Sequence, residues 1–332
     1  MTSFIHPSTA VTAIAAALCF GSLNPAAFGY GKEGHQTVGA IADKLIKGTN
    51  AETHVRALLG TESLEHASTW ADEVKHGPFT NETKAYAARN KSHDKYHYTD
   101  IPLQEKAYSE GSVGAGPVDV VKTIRRLIAI LESGKDSPEI TQKEALRVLV
   151  HLVGDVHQPL HVGAAYLDAN GNLVLPKNET EVKATQTKGG GDIDFHGNLH
   201  SYWDSHAVLG AMSSVKAKTP GALAEKLTEH EPTDWKSGSF VSQWAKRWAT
   251  KMMPLATEAH SRLVIKPRAP KKVNDHGEEK IVQVWPATTK GQTAAEIAKT
   301  DKEYSAWSSQ VVRENLARGG YRLAALLEKI WP

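Results

Sequence analysis

Apolar positions repeat at helical spacing over several stretches of the chain. The earliest of these predicts a first helix that starts near His35. A second stripe ends at Gly134, and a third follows Thr141 and Glu144, a capping-box pattern that opens a helix. The residues that form the three stripes are Val38, Ile41, Ala42, Leu45 and Ile46, then Val120, Val121, Ile124, Leu127, Ile128 and Leu131, and then Leu146, Leu149, Val150 and Val153.

The rest of the chain extends this helical pattern. Residues 235–264 and 293–331 also read as helices, and another helix is expected to end over residues 70–75. Residues 77–100 are polar and lack a period, which predicts a long loop, and residues 266–280 form a polar, basic interlude. Asn170-Gly171, between short apolar runs, can form a small β-hairpin in a long loop. Because no internal repeat or linker is evident, the sequence predicts an all-α, mainly helical single domain.

Overall charge excludes one class of partner. The 332 residues carry a formal net charge of +2 at pH 7, which is too little for a protein held to nucleic acid mainly by a global field. Any nucleic-acid binding must therefore be local. The unusual number in the composition is that of the histidines, of which there are 16.

The first 29 residues contain no Lys, Arg, Asp or Glu, and residues 10–23 form an apolar run too short to span a bilayer comfortably. Small residues at Ala27 and Gly29 fit a cleavage site, so we expect residues 1–29 to be a signal peptide and Tyr30 to begin the mature protein. A buried N-terminal helix is the alternative. The only cysteine, Cys19, lies in this leader. The sequence thus predicts a periplasmic or secreted protein without a stable membrane anchor.

The densest chemistry lies at the end of the third stripe. His151 and Asp155 are four residues apart, so on a helix they present an imidazole and a carboxylate on one face. Pro159 is expected to end that helix and to place His161 on the next turn, aimed elsewhere, which suggests two adjacent metal positions. An isolated pair of this kind is often only a satisfied polar contact. A second copy, His200-x-x-x-Asp204, makes that explanation weaker.

Histidine and aspartate are the ligands that a zinc site without cysteine would use. The set is too large for one ion. Paired ions can clamp the attacking and leaving oxygens of a phosphoryl transfer and lower the pKa of water to about 7, so phosphate ester hydrolysis is the leading chemistry. The candidate ligands are His35, Asp72, His97, His151, Asp155, His161, His200 and Asp204.

These motifs together resemble the trinuclear-zinc, single-strand-specific nuclease family, which includes fungal single-strand nucleases, plant bifunctional nucleases and bacterial relatives. The resemblance covers residues 30–204 in order, and residues 313–327 are similar to the family's last helix. It implies the helical fold of the zinc-dependent phospholipase C and nuclease type over residues 30–332. The motifs are Tyr30-Gly-Lys-Glu-Gly-His35, Trp70-Ala-Asp72, His97-Tyr98-Thr-Asp100, His151-x-x-x-Asp155-x-His-Gln-Pro-Leu-His161 and Asn198-Leu-His200-x-x-Trp-Asp204.

The resemblance also implies an assignment of ligands to three zinc ions. Asp72, His97, His151 and Asp155 would hold the first zinc, with Asp155 bridging to a second ion. The second ion would be held by His35 and by the free amine and carbonyl of Tyr30, where the family usually has Trp. His161, His200 and Asp204 would hold the third ion.

Three further residues match substrate-contacting positions of the family. Lys75, one turn after Asp72, corresponds to a basic residue near the scissile phosphate, although most lysines are simply solvated. Tyr98 and Asp100 resemble a base pocket, in which the ring stacks on a nucleobase and the carboxylate accepts hydrogen bonds from its edge. Taken without the resemblance, Tyr98 is equally well a core aromatic. By this resemblance Asp72, Lys75 and Asp155 are the catalytic residues.

The resemblance predicts an exported, zinc-dependent endonuclease that hydrolyses single-stranded DNA and RNA to 5'-phosphate products and also acts as a 3'-nucleotidase. We expect nucleic acids and nucleotides as its partners, a monomer, and no protein partner. A phospholipase C-like zinc phosphodiesterase on the same scaffold is the alternative. A non-catalytic exported zinc-binding protein would use the same ligands.

Overall fold

The structure is a computed structural model that describes residues 30–275 and 277–332, so the predicted leader lies outside the described residues. Helices dominate, as predicted, with only short strands besides one hairpin. The helices are α1 (Gly31–Leu45), α2 (Asn50–Leu59), α3 (Leu64–Ala67), α4 (Trp70–His76), α5 (Asn81–Arg89), α6 (Val120–Ser133), α7 (Gln142–Asp155), α8 (Glu179–Thr185), α9 (Leu199–Ser201), α10 (Ala207–Ser214), α11 (Pro220–Leu227), α12 (Trp244–Ser261) and α13 (Ala294–Ile330).

The core forms where the apolar faces of the helices meet. Helix α13 is the longest, and it packs against α1, α7 and α10. Helix α7 is buried along almost its whole length, because α1, α4, α6 and α13 cover it from several sides. Its predicted capping box is confirmed: the Glu144 amide donates to Thr141 Oγ1 over 3.2 Å, and the Thr141 amide donates to Glu144 Oε2 over 2.9 Å. No described helix combines the length and apolarity needed to cross a membrane.

Two short strands pair near the predicted metal ligands His97 and His161. Strand β1 (Ile101–Pro102) pairs in parallel with β2 (Gly163–Ala164). Just before this pairing, the Thr99 amide donates to the His161 carbonyl over 2.8 Å. This pairing brings the segment from His97 to Asp100 beside the turn that carries His161.

A second sheet occupies much of the basic interlude. Its strands are β3 (Ile193–Asp194), β4 (Leu263–Ile265), β5 (Ala269–Asp275) and β6 (Glu278–Thr289). Strand β6 pairs antiparallel with β4 and β5 and parallel with β3. Lys271 on β5 forms an ion pair with Asp194 on β3, with an Nζ–Oδ1 distance of 2.6 Å. The hairpin thus holds the segment that leads into α9.

Several predicted boundaries are wrong. Residues 77–100 contain α5, which was not predicted, whereas the helix expected to end over residues 70–75 is α4, which begins at Trp70 and ends at His76. The third-stripe helix ends at Asp155, before Pro159, which instead begins a 3₁₀ turn (Pro159–His161). Residues 235–243 precede α12 instead of belonging to it. The small hairpin expected around Asn170-Gly171 is confirmed by an antiparallel bridge between Leu167 and Leu173, but the long β5–β6 hairpin was not predicted.

Candidate metal centre and catalytic cleft

The predicted ligands converge into three groups. In each group, one nitrogen or oxygen atom per residue lies within 4.8 Å of the others. Helices α1, α4, α7 and α9 supply most of these side chains, and the remainder come from the residues before β1, the 3₁₀ turn and the π-helical turn Tyr202–His206. The groups are His35, His151 and Asp155, then Asp72, His97 and His151, and then His161, His200 and Asp204.

Asp155 lies among four imidazoles. Its Oδ2 is 3.0 Å from His97 Nδ1 and 3.2 Å from His151 Nε2. Its Oδ1 is 3.4 Å from His35 Nε2 and 3.4 Å from His161 Nδ1. Since its two oxygens face different histidines, this carboxylate can serve two cations at once.

Asp72 reaches the same place from α4. Its Oδ1 lies 3.6 Å from His151 Nε2 and 3.9 Å from His97 Nδ1. The His35 and His151 rings stack with their centroids 3.7 Å apart. The first two groups are therefore contiguous and share His151.

The third group lies across the 3₁₀ turn. His200 Nε2 is 3.4 Å from Asp204 Oδ2, and His161 Nε2 is 3.9 Å from Asp204 Oδ1. Gln158 Nε2 donates to Asp204 Oδ1 over 2.8 Å. His161 was expected to point away from Asp155, but it lies between Asp155 and Asp204 and links this group to the other two.

Backbone carbonyls fix the orientation of three imidazoles. Nδ1 of His151 lies 2.7 Å from the Ser68 carbonyl, and Nδ1 of His200 lies 3.0 Å from the Gly189 carbonyl. Nδ1 of His161 lies 2.8 Å from the His97 carbonyl. A carbonyl only accepts, so each Nδ1 must carry the proton, which leaves the lone pair of Nε2 facing the cluster, as in metal-binding histidines.

Several buried polar atoms in the cluster have no hydrogen-bond partner within the described part of the chain. Buried native polar groups are nearly always paired, so a concentration of unpaired ones needs an explanation. Apart from His35 Nδ1, which faces Gly154, these atoms lie beside other ligand atoms of the cluster and are of the kinds that bind cations, so the residues fit bound metal ions. They are both ring nitrogens of His35, Oδ1 of Asp155, Nε2 of His161 and Oδ2 of Asp204.

The pKa values of the histidines are also consistent with bound metal ions. Burial lowers the pKa of His35 and His200, and it lowers the pKa of His161 to about 3, so all three are neutral at pH 7. For His151, burial opposes protonation, but Asp155 and Asp72 raise its pKa to about 9. The carboxylates that favour a proton on His151 Nε2 favour a metal cation at the same position.

Tyr30 lies immediately before α1, the helix that carries His35. Its side chain is fully buried, and its hydroxyl donates to the His157 carbonyl over 2.6 Å. The His157 ring belongs to none of the three ligand groups. Its Nδ1 is 2.6 Å from the Val153 carbonyl, and its Nε2 accepts from Arg322 over 2.7 Å. This network holds the first residue of the predicted mature chain beside His35.

A cleft of about 510 Å³ opens onto the metal groups. Lys75, Tyr98 and Asp100 line it, together with the ligands Asp72 and His200. The three predicted substrate-contacting residues thus share one space with the metal ligands. Burial raises the pKa of Asp100 to about 7.

Sequence reasoning missed the groups that hold the ligands in place. Gly154 precedes Asp155, and a Cβ built there would lie 2.6 Å from His35 Nδ1. Glycine lowers the stability of a helix relative to alanine, so a glycine next to Asp155 was a sign in the sequence that another group packs closely there. The carbonyls of Ser68 and Gly189 left no clue, because any residue has one.

The chain is similar to known nucleases over most of its length. The family model for S1/P1 nuclease matches residues 30–332. Endonuclease 2 of Arabidopsis thaliana is 25% identical over 315 residues, which cover 92% of each chain. Nuclease S1 of Aspergillus oryzae is 26% identical over 326 residues, covering 91% of this chain and 92% of the relative. Nuclease P1 of Penicillium citrinum is 26% identical over 240 residues, covering 67% and 78%. The chain therefore belongs to the S1/P1 nuclease family and is a hydrolase of phosphodiester bonds.

Proposed function

We propose that this protein is an exported, zinc-dependent endonuclease that cuts single-stranded DNA and RNA, leaves 5'-phosphates and removes 3'-phosphates from nucleotides. The observation that carries the proposal is the shared cleft, in which Lys75, Tyr98 and Asp100 lie on the same cavity as the metal ligands. A non-catalytic zinc protein would have no need of such a cavity. The family membership favours nucleic acid over a phospholipid.

Zinc suits the donors, which are imidazole nitrogens and carboxylate oxygens without cysteine. Asp72, His97, His151 and Asp155 would hold one ion, and Asp155, His35 and Tyr30 a second. His161, His200 and Asp204 would hold the third. Bound zinc supplies Lewis acidity toward the phosphate and a water-derived nucleophile at neutral pH.

The remaining residues bind and orient the substrate. The Lys75 ammonium offsets negative charge on the scissile phosphate. Tyr98 stacks on one nucleobase, a contact that accepts any base, and the Asp100 carboxylate accepts hydrogen bonds from the edge of that base. A paired base hides both its face and its edge, so the pocket favours single strands.

Export belongs to the same proposal. Removal of residues 1–29 would free the amine of Tyr30 beside His35 and allow it to bind metal. The buried Tyr30 ring fixes the position of that amine through its bond to His157. The mature enzyme would then act in the periplasm or the medium.

The test is hydrolysis by the mature protein that begins at Tyr30. Its substrates are single-stranded DNA, RNA, duplex DNA and phosphatidylcholine, each with and without a chelator, alongside a metal count. We expect about three zinc ions per chain and chelator-sensitive cleavage of the single strands. Cleavage of the lipid alone would refute the proposed substrate, and a protein that binds no zinc would refute the proposed mechanism.

A further inference from the structure

A second groove adjoins the catalytic cleft on the surface formed by α4 and α5. It encloses about 560 Å³, and Lys75 lines both this groove and the cleft. Its other polar side chains are Lys84, Lys91, Thr83 and His93. We call it the α4–α5 groove. Because Lys75 lines both cavities, a strand that leaves the cleft past Lys75 can continue into this groove.

The charge of the α4–α5 groove is of one sign. Its lining includes three lysines, Lys75, Lys84 and Lys91, and no carboxylate. Within residues 30–275 and 277–332, none of their ammonium groups has a carboxylate within 4.0 Å, whereas Lys226 and Lys251 each form an ion pair with a neighbouring acid. Free ammonium groups along a groove attract a polyanion.

An exposed aromatic ring accompanies these charges. Phe79 lines the groove, and 57% of its surface is exposed. Phe79 precedes α5, whose own buried residues are Thr83 and Tyr86. Exposed aromatic rings beside cationic side chains are the arrangement on which the bases of a single strand stack.

We infer that the α4–α5 groove binds the single strand beyond the nucleotide held in the catalytic cleft. Lys84 and Lys91 contact its phosphates, and Phe79 stacks on one of its bases. An acidic peptide would use the lysines but not a stacking ring, so the combination favours a nucleic-acid strand. This inference rests on the proposed nuclease function and adds a site for substrate length.

The experiment compares two substrates, a thymidine dinucleotide and an oligothymidylate of about twelve nucleotides. The variants are Phe79→Ala and the double variant Lys84→Ala/Lys91→Ala, and kcat/KM is measured over a range of salt concentrations. The slope of log kcat/KM against log salt is negative, and for the longer strand the double variant is expected to make it less negative by about 1.4, since each phosphate contact on a single strand contributes about −0.7. Phe79→Ala is expected to lower the preference for the longer strand about tenfold without changing that slope.

Matched controls separate these effects from general loss of charge or surface. Phe240→Ala removes another exposed phenylalanine, 69% exposed, and Lys218→Ala/Lys246→Ala removes two exposed lysines that do not line the groove. Both controls are expected to keep the wild-type preference for length. If the groove variants behave as their controls, or lose activity equally on both substrates, the groove inference is overturned while the nuclease function stands. Wild-type protein that cleaves neither substrate overturns both.

Discussion

The two His-x-x-x-Asp pairs share one sequence spacing but occupy different local structures. His151 and Asp155 lie within the regular helix α7, with Nε2 and Oδ2 3.2 Å apart. His200 lies in α9 and Asp204 in the π-helical turn that follows, with the corresponding atoms 3.4 Å apart. The same spacing therefore brings the side chains together on both backbones.

The surroundings of the two carboxylates differ more than their geometry. Burial opposes ionisation of Asp155, but His151 and His161 outweigh it and hold its pKa well below the usual range. Burial raises the pKa of Asp204 well above that range, and the hydrogen bond from Gln158 only partly offsets it. The spacing identifies each His–Asp pair. The side chains around the pair decide whether its carboxylate belongs to two ligand groups or to one.

Asp155→Asn is expected to have the largest effect. The amide cannot supply a negative oxygen to both contiguous groups, so activity should fall at least about a thousandfold. Metal content should fall as well, while the helical circular dichroism spectrum stays close to wild type. Asp136→Asn, an exposed carboxylate outside the three groups, is the control. Full activity in Asp155→Asn would contradict the shared role of this residue.

Asp204→Asn is expected to have a smaller effect. It alters one group and leaves the two contiguous groups intact, so the metal count should drop by about one and activity by about a hundredfold. The count is measured on protein dialysed against a weak chelator. If Asp155→Asn and Asp204→Asn lose metal and activity to the same extent, the two His–Asp pairs are equivalent. Their different surroundings would then have no functional consequence.

Gly154→Ala tests the packing behind the first pair. The added methyl group would lie 2.6 Å from His35 Nδ1, and the fully buried His35 ring must shift. Displacing a support of this kind costs about 10- to 100-fold in metal affinity or activity. Overpacking should also lower the free energy of unfolding by about 1 to 3 kcal/mol.

The control for this variant is Gly221→Ala in α11. A Cβ at Gly221 meets no atom within 4 Å. Alanine favours helix over glycine, so Gly221→Ala should leave metal content unchanged and raise the melting temperature slightly. The prediction for Gly154 fails if both variants shift metal content and melting temperature in the same direction.

The fold could be predicted where one apolar face was long enough to show its period. Helices α1, α6, α7 and α13 are of this kind. Helix α5 was missed because it is short and begins with a capping box between Thr80 and Thr83 instead of the usual Ser or Thr with Glu. The β5–β6 hairpin was missed because much of it is exposed on both faces, so no alternation of apolar and polar residues appears.

The metal groups could be predicted because their ligands recur as side-chain types at fixed spacing. Their orientation could not be predicted. It depends on the carbonyls of Ser68 and Gly189 and on the approach of α1 to Gly154, all of which arise from tertiary packing. The α4–α5 groove was hidden for the same reason, because lysines on separate elements meet only after folding.

Asp100 extends the comparison to a third carboxylate and gives the smallest expected effect. Burial alone raises its pKa to about 7, so it loses its charge as the pH falls through neutrality. If the ionised carboxylate accepts bonds from a nucleobase, KM for a dinucleotide should rise several-fold between about pH 7.5 and pH 6, because the ionised fraction falls by up to tenfold per unit. A phosphodiester is the substrate to use, since a phosphomonoester itself titrates near pH 6. Asp100→Asn should lack this rise while retaining cleavage, and the same pH profile in both proteins would remove Asp100 from base recognition.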